Sequence, residues 1–298
     1  MNASIKLLEG VLPAVVSLKT EVDEHHPSSS VLGAERHGSG VLVDSDLVLT
    51  VNYVVIGAQS VEVTFVDGST TEGKVAAQDM RTGIALVRMG TPAHHGVTTR
   101  PSTEVDLGED VAIVAAAAEN ARRVSDGVIM SFARFDANWE YALDRSIITT
   151  ARNPGLGGAP LIDVFGRVVG IVSLDLGEVG RSTMAIPIDY YLENKDELLQ
   201  HGRCVSRQPR AWVGIFCYTF RNHVIIAGLM PGSPAERAGF KPGDVVLTLD
   251  GEEINDRQEL YDALWSSPPG CVLEFRIFRD NAVELVEVTA DDAERFFA

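Results

Sequence analysis

Short runs of aliphatic and β-branched residues, interrupted every few positions by turn residues, fill the chain from about residue 11 to 187. Val41-Leu42-Val43 gives way to Asp44-Ser45-Asp46 and then to Leu47-Val48-Leu49-Thr50. Val61-Glu62-Val63-Thr64-Phe65 alternates and runs into Asp67-Gly68, a hairpin signal. Further runs lie at 74–76, 84–88, 111–114, 128–133, 147–150 and 168–172. Many short strands at even spacing build a sandwich or barrel rather than a parallel α/β sheet. Residues 93–102 break the pattern and read as a linker, which predicts two six-stranded antiparallel barrels at about 11–97 and 103–187.

The texture changes near residue 188. Residues 189–201 are rich in Leu, Glu, Lys and Tyr and stop before Gly202, the pattern of a helix with a glycine C-cap. Residues 201–210 are polar, hold three arginines and read as a linker between a first domain at 1–200 and a second at 211–298. The second domain is predicted to hold strands near 213–218, 224–227, 245–249, 272–279 and 283–289. A short helix at 235–238 follows Pro231-Gly232-Ser233-Pro234, and a longer one at 256–264 is capped by Asn255 or Asp256.

Composition narrows the functional classes. The 298 residues are 45% hydrophobic and 22% charged, ordinary for globular domains with ample core. With 25 Lys and Arg against 42 Asp and Glu the net charge is −17, the wrong sign for a nucleic-acid or anionic-lipid partner. The longest apolar run, 111–118, falls far short of the roughly 18 residues a spanning helix needs. The first residues lack the basic-then-apolar pattern of a secretory leader. Cys204, Cys217 and Cys271 lack CxxC spacing and read as reduced thiols, not as a disulfide framework or zinc site. His25-His26, beside Asp23 and Glu24, and His94-His95 read as solvated loop histidines, because neighbours on an extended strand point apart. No metal and no cofactor is expected.

Four segments occur in a telling order: Gly38-Ser39-Gly40-Val41-Leu42-Val43, Leu49-Thr50-Val51-Asn52-Tyr53-Val54-Val55, Asp79-Met80-Arg81-Thr82-Gly83-Ile84-Ala85-Leu86, and Asn153-Pro154-Gly155-Leu156-Gly157-Gly158-Ala159-Pro160-Leu161. Together with Pro231 to Gly239 and Gly243-Asp244, they resemble the HtrA (DegP/DegS-like) family over nearly the whole chain. The resemblance implies an all-β-dominated fold, a chymotrypsin-like double β-barrel followed by an α+β PDZ domain. It also implies an envelope or periplasmic setting and trimeric assembly, although residues 1–18 contain no aromatic residue with which to staple a trimer.

The chemistry departs from the family at each triad position. Tyr53 stands where the family has histidine, Gly83 where it has aspartate and Gly157 where it has the nucleophilic serine. Acyl transfer needs a nucleophilic oxygen, a base and a group that orients the base. Gly157 has no side chain, and a tyrosine with a pKa of about 10 is a poor base at neutral pH. What the template leaves is an oxyanion loop, with N–H groups at Gly155 and Gly157. Thr149 and Thr150 have no histidine nearby in sequence, and Ser39 sits at a structural position. The ring of Tyr53 is expected to fill the vacated space, with its hydroxyl on a backbone partner.

The PDZ segment keeps its expected machinery. Val213-Gly214-Ile215-Phe216 has the form of a carboxylate loop, in which a glycine between apolar residues exposes backbone N–H groups to a peptide C-terminus. Leu260 and Leu264, at i and i+4 on the predicted helix, form the other groove wall or belong to the core. Arg207 and Arg210 lie just upstream to steer a carboxylate. The expectation is a catalytically inactive HtrA-like pseudoprotease that binds C-terminal peptides or unfolded protein segments, with itself or an active relative as oligomeric partner. Two alternatives stand beside it: an active serine endopeptidase with rearranged catalytic groups, and a metal-binding accessory protein using the histidine loops.

Overall fold

A computed structural model describes residues 10–92, 96–118, 120–177 and 181–298. The His94-His95 pair and the first nine residues lie outside the described residues. The chain divides into two compact units, one of residues 1–24, 32–135 and 143–205, the other of residues 25–31, 136–142 and 206–298.

The first unit holds two closed barrels of six strands each. Strands β1 (Val15–Val22), β2 (Glu35–Asp44), β3 (Leu47–Val51), β4 (Ala58–Thr64), β5 (Thr70–Asp79) and β6 (Ile84–Met89) close in the order β1-β2-β3-β6-β5-β4. Strands β7 (Asp110–Ala116), β8 (Arg122–Asp136), β9 (Ala142–Thr149), β10 (Pro160–Asp163), β11 (Val168–Asp175) and β12 (Thr183–Pro187) close in the order β10-β11-β12-β9-β8-β7. Alternation sets the inward face of β4, where Val61 and Val63 are buried and Glu62 is exposed. In β3 and β12 every residue is buried, so both faces are covered and the period-two signal disappears. Ile113, Ile147, Leu161, Val169 and Ala185 fill the second barrel, with Leu161 paired opposite Ile113. Helix Asp189–His201 ends at Gly202 in the left-handed region, as its sequence predicts.

The second unit is built on a sheet of β13 (Ile215–Phe220), β14 (His223–Leu229), β15 (Val245–Leu249), β16 (Glu252–Glu253), β17 (Val272–Arg279) and β18 (Ala282–Thr289). Its order is β13-β14-β15-β17-β18, with β16 on β15, which leaves β13 at an edge. Helix Arg257–Trp265 is capped by Asp256, whose side chain accepts from the Glu259 N–H. Leu260, Tyr261 and Leu264 pack into one core with Ile226, Val246, Phe275 and Val288. The first strand begins at Ile215 and not at Val213, because Gly214 has φ +83° and turns the backbone before the ladder starts. At the end of the chain Phe296 and Phe297 pack on Trp212, with ring centroids 4.6 and 5.5 Å away. Among the described residues no disulfide is formed, and Cys204 and Cys217 are buried.

Candidate functional site

In the double-barrel unit Tyr53 leaves β3 on a single helical turn, Asn52–Val55. Its hydroxyl donates to the carbonyl of Ser173, on β11, at 2.7 Å. A Cβ at Gly157 would collide with that hydroxyl. Tyr53 and Gly157 are thus brought together, and the phenol occupies the room a side chain at 157 would need. Burial drives the Tyr53 pKa well above its ordinary value, so the hydroxyl stays neutral and donates. Gly83 has φ +79° and its carbonyl accepts from the N–H of Asn52, the residue before Tyr53, at 2.7 Å.

The loop carrying Gly157 is fixed by backbone bonds. The Gly157 carbonyl accepts from the Ser39 N–H at 2.7 Å, the Leu156 N–H donates to Ala116 at 2.9 Å, and the Gly158 N–H to Val172 at 2.8 Å. Ser39 is buried, and its Oγ accepts from the Ala116 N–H at 2.9 Å. Of the two N–H groups of the expected oxyanion loop, that of Gly155 donates to Asn153 Oδ1 at 3.2 Å, so it is engaged within the loop. Thr149 Oγ1 donates to the Val128 carbonyl at 2.8 Å, and Thr150 Oγ1 accepts from the Val128 N–H at 2.9 Å. Asp79 is buried and holds its own turn, accepting from Thr82 Oγ1 at 2.7 Å and the Arg81 N–H at 3.0 Å.

In the second unit the backbone N–H groups of Val213, Gly214 and Ile215 converge on one carboxylate, that of Glu140, at 3.1, 2.5 and 2.9 Å. The geometry depends on Gly214: its φ is left-handed, and a Cβ there would run into the Ser233 side chain. Burial pushes the Glu140 carboxyl up to about 7, against the pull of the three N–H groups and of Arg210. Val213, Ile215, Leu260 and Leu264 are buried, while Phe216 is half-buried. Arg210 lies with its guanidinium 3.5 Å from the centroid of the Trp265 ring.

Residues 38–171 match the model of the trypsin-like peptidase domain, and residues 205–290 that of the PDZ domain. A probable periplasmic serine endoprotease, DegP-like, of Hahella chejuensis is 29% identical over 282 residues, covering 87% of this chain and 59% of that protein. The periplasmic pH-dependent serine endoprotease DegQ of Escherichia coli is 26% identical over 320 residues, covering 96% of this chain and 69% of its own length. Among solved structures, the HtrA-type protease AlgW with tripeptide superposes with a TM-score of 0.59 at 23% identity, covering 97% of this chain and 96% of that one. The chain is an HtrA-like homologue of the trypsin-like serine proteases, with a PDZ domain. It spans about three fifths of the length of the Hahella relative.

Within this HtrA-like chain, the turn at Gly214 is visible in the linear sequence, whereas Glu140 is not. A carboxylate 74 residues upstream of the loop it faces carries no local signal. The histidine loop also resolves into ordinary contacts: His26 Nδ1 lies 2.6 Å from Ser28 Oγ, and its Nε2 lies 3.2 Å from the Phe297 carbonyl. Among the described residues no three His, Cys, Asp or Glu gather as a metal site, and no helix is long and apolar enough to cross a membrane.

Proposed function

We propose that this HtrA-like chain is a proteolytically silent peptide-binding protein whose working site is the groove of its PDZ domain, with peptide C-termini as ligands. The observation that carries the reading is the set of three consecutive N–H groups, Val213 to Ile215, converging on a carboxylate beside an edge strand. An extended peptide gains main-chain hydrogen bonds from such an edge, and its terminal carboxylate takes the converging donors. The silent barrel follows from Gly157, which offers no nucleophile, and from the Tyr53 phenol in the space a nucleophile would fill. The AlgW structure holding a tripeptide supports peptide recognition by analogy.

Two measurements test the two halves. Isothermal titration of decapeptides with a free or an amidated C-terminus is expected to give binding for the free form alone. Equal binding of the amide would remove the carboxylate loop from the reading. A fluorophosphonate probe is expected to label no residue. The matched relatives are named as serine endoproteases, and labelling of any serine here would establish an active peptidase with rearranged groups instead.

A further inference from the structure

The groove beside β13 is filled by the chain itself. Residues 136–142 pack within the same compact unit as the PDZ domain. The Asn138 carbonyl accepts from the Cys217 N–H at 2.6 Å, and Trp139 bridges Phe216 in antiparallel register. From the helix side, Tyr261 Oη donates to the Ala137 carbonyl at 3.0 Å, and Arg257 Nε pairs with Asp136 Oδ2 at 2.5 Å. The segment then places the Glu140 carboxylate where a peptide C-terminus would end, on the N–H groups of Val213, Gly214 and Ile215. The main chain turns away there, closed by the Ala137 N–H donating to the Tyr141 carbonyl at 2.9 Å.

We propose that residues 137–141 are a built-in occupant of the peptide groove, with the Glu140 side chain standing in for a terminal carboxylate, so that a peptide binds only by displacing them. The inference rests on the reading of this groove as a C-terminal peptide site. A glutamate side chain and a chain terminus present the same group, two oxygens sharing one charge, to the same donors. An occupant tethered to the chain competes at high effective concentration. It is nonetheless a short one. Among the described residues its main chain pairs along the edge strand with Phe216 and Cys217, while Tyr218 and Phe220, farther along that strand, are exposed. A longer peptide gains ladder bonds along that unused edge, so the occupant sets an affinity threshold that favours extended ligands over very short ones. Apparent affinity is the intrinsic affinity reduced by the fraction of molecules whose groove is open.

The test uses the full chain and its Glu140→Ala and Glu140→Gln variants. The probes are fluorescein-labelled neutral decapeptides ending in Val-Val, one with a free carboxylate and one amidated. Glu140→Ala is expected to bind the free-carboxylate peptide roughly tenfold tighter or more than the parent. Unchanged affinity overturns the proposal while leaving the peptide site standing. Amide hydrogen exchange in the absence of peptide provides the second arm. The Val213, Gly214 and Ile215 amides are expected to exchange slowly in the parent and at least tenfold faster in Glu140→Ala. Unaltered exchange of the core amides of β15 and β17 shows that the variant is folded. Equal protection at 213–215 in parent and variant overturns the occupant even if peptides bind. Lost protection together with no peptide binding by any variant overturns the C-terminal peptide site itself, and with it the competition.

Discussion

At the scale of single residues, two side chains decide what each site is able to do. The Tyr53 phenol fills the room a side chain at 157 would need, and the substitution Gly157→Ser sets its Cβ against the phenol. We expect that change alone to cost about 2–3 kcal/mol in urea denaturation, to be largely relieved when Tyr53→His is added, and to give no turnover of casein in either case. Adding Gly83→Asp completes the residue set that the family resemblance implies, but position 83 has φ +79° and strains any side chain there. Glu140 governs the other site. Its carboxyl is raised to about 7 when seated, from 4.5 when released, so the seated segment binds more protons. Seating is strongest at low pH, weakens as pH rises from 4.5 to about 7, and is level above that. The groups facing it do not reverse the sign. Arg210 stays positive, the Cys217 thiol is raised to about 11 and the Tyr261 hydroxyl further still, and Asp136 is paired with Arg257. In the absence of peptide, protection of the Val213, Gly214 and Ile215 amides, corrected for intrinsic exchange, should therefore fall between about pH 5.5 and about pH 7.5 in the parent and stay flat in Glu140→Gln, as read by amide hydrogen exchange.

At the scale of elements, the PDZ sheet is organised by three two-residue hairpins with left-handed turn positions. They are Arg221-Asn222 between Phe220 and His223, Asp250-Gly251 between Leu249 and Glu252, and Asp280-Asn281 between Arg279 and Ala282. Such turns match the right-handed twist of their strands and favour Asn, Asp and Gly. Arg221, at φ 47°, is the misfit. Arg221→Asn is expected to raise stability by about 0.5–1 kcal/mol in urea denaturation. Gly214 is the opposite case, where φ and the Ser233 side chain both forbid a Cβ. Gly214→Ala should destabilise by about 2 kcal/mol or more and abolish peptide binding in the same titration.

At the scale of the whole molecule, a net charge of −17 acts on any peptide that approaches. Peptides with Asp or Glu upstream of their terminus should bind more weakly than the same peptides with Lys. The gap should narrow as salt is raised from about 0.05 M to about 0.5 M, because exposed charges more than a Debye length apart are screened. An equal gap at both salt concentrations would place the preference in local contacts instead of the overall field.

Local patterns in the sequence carried the barrels, the helix ending at Gly202 and the PDZ hairpins. Strand period, glycine caps and turn residues act over a few neighbouring positions, so a linear reading captures them. The loop Val213-Gly214-Ile215-Phe216 was legible for the same reason, since only glycine serves its turn. Likewise, that positions 83 and 157 carry no side chain is written in the chain. Two further features belong to the tertiary structure. The phenol of Tyr53 reaches Ser173, 120 positions away, and Glu140 sits on a loop 73 to 75 positions downstream. Each depends on a hydrogen-bonding group that must find a partner once it is withdrawn from water. The sequence names that group, but its partner is chosen by which strands and loops the fold brings alongside.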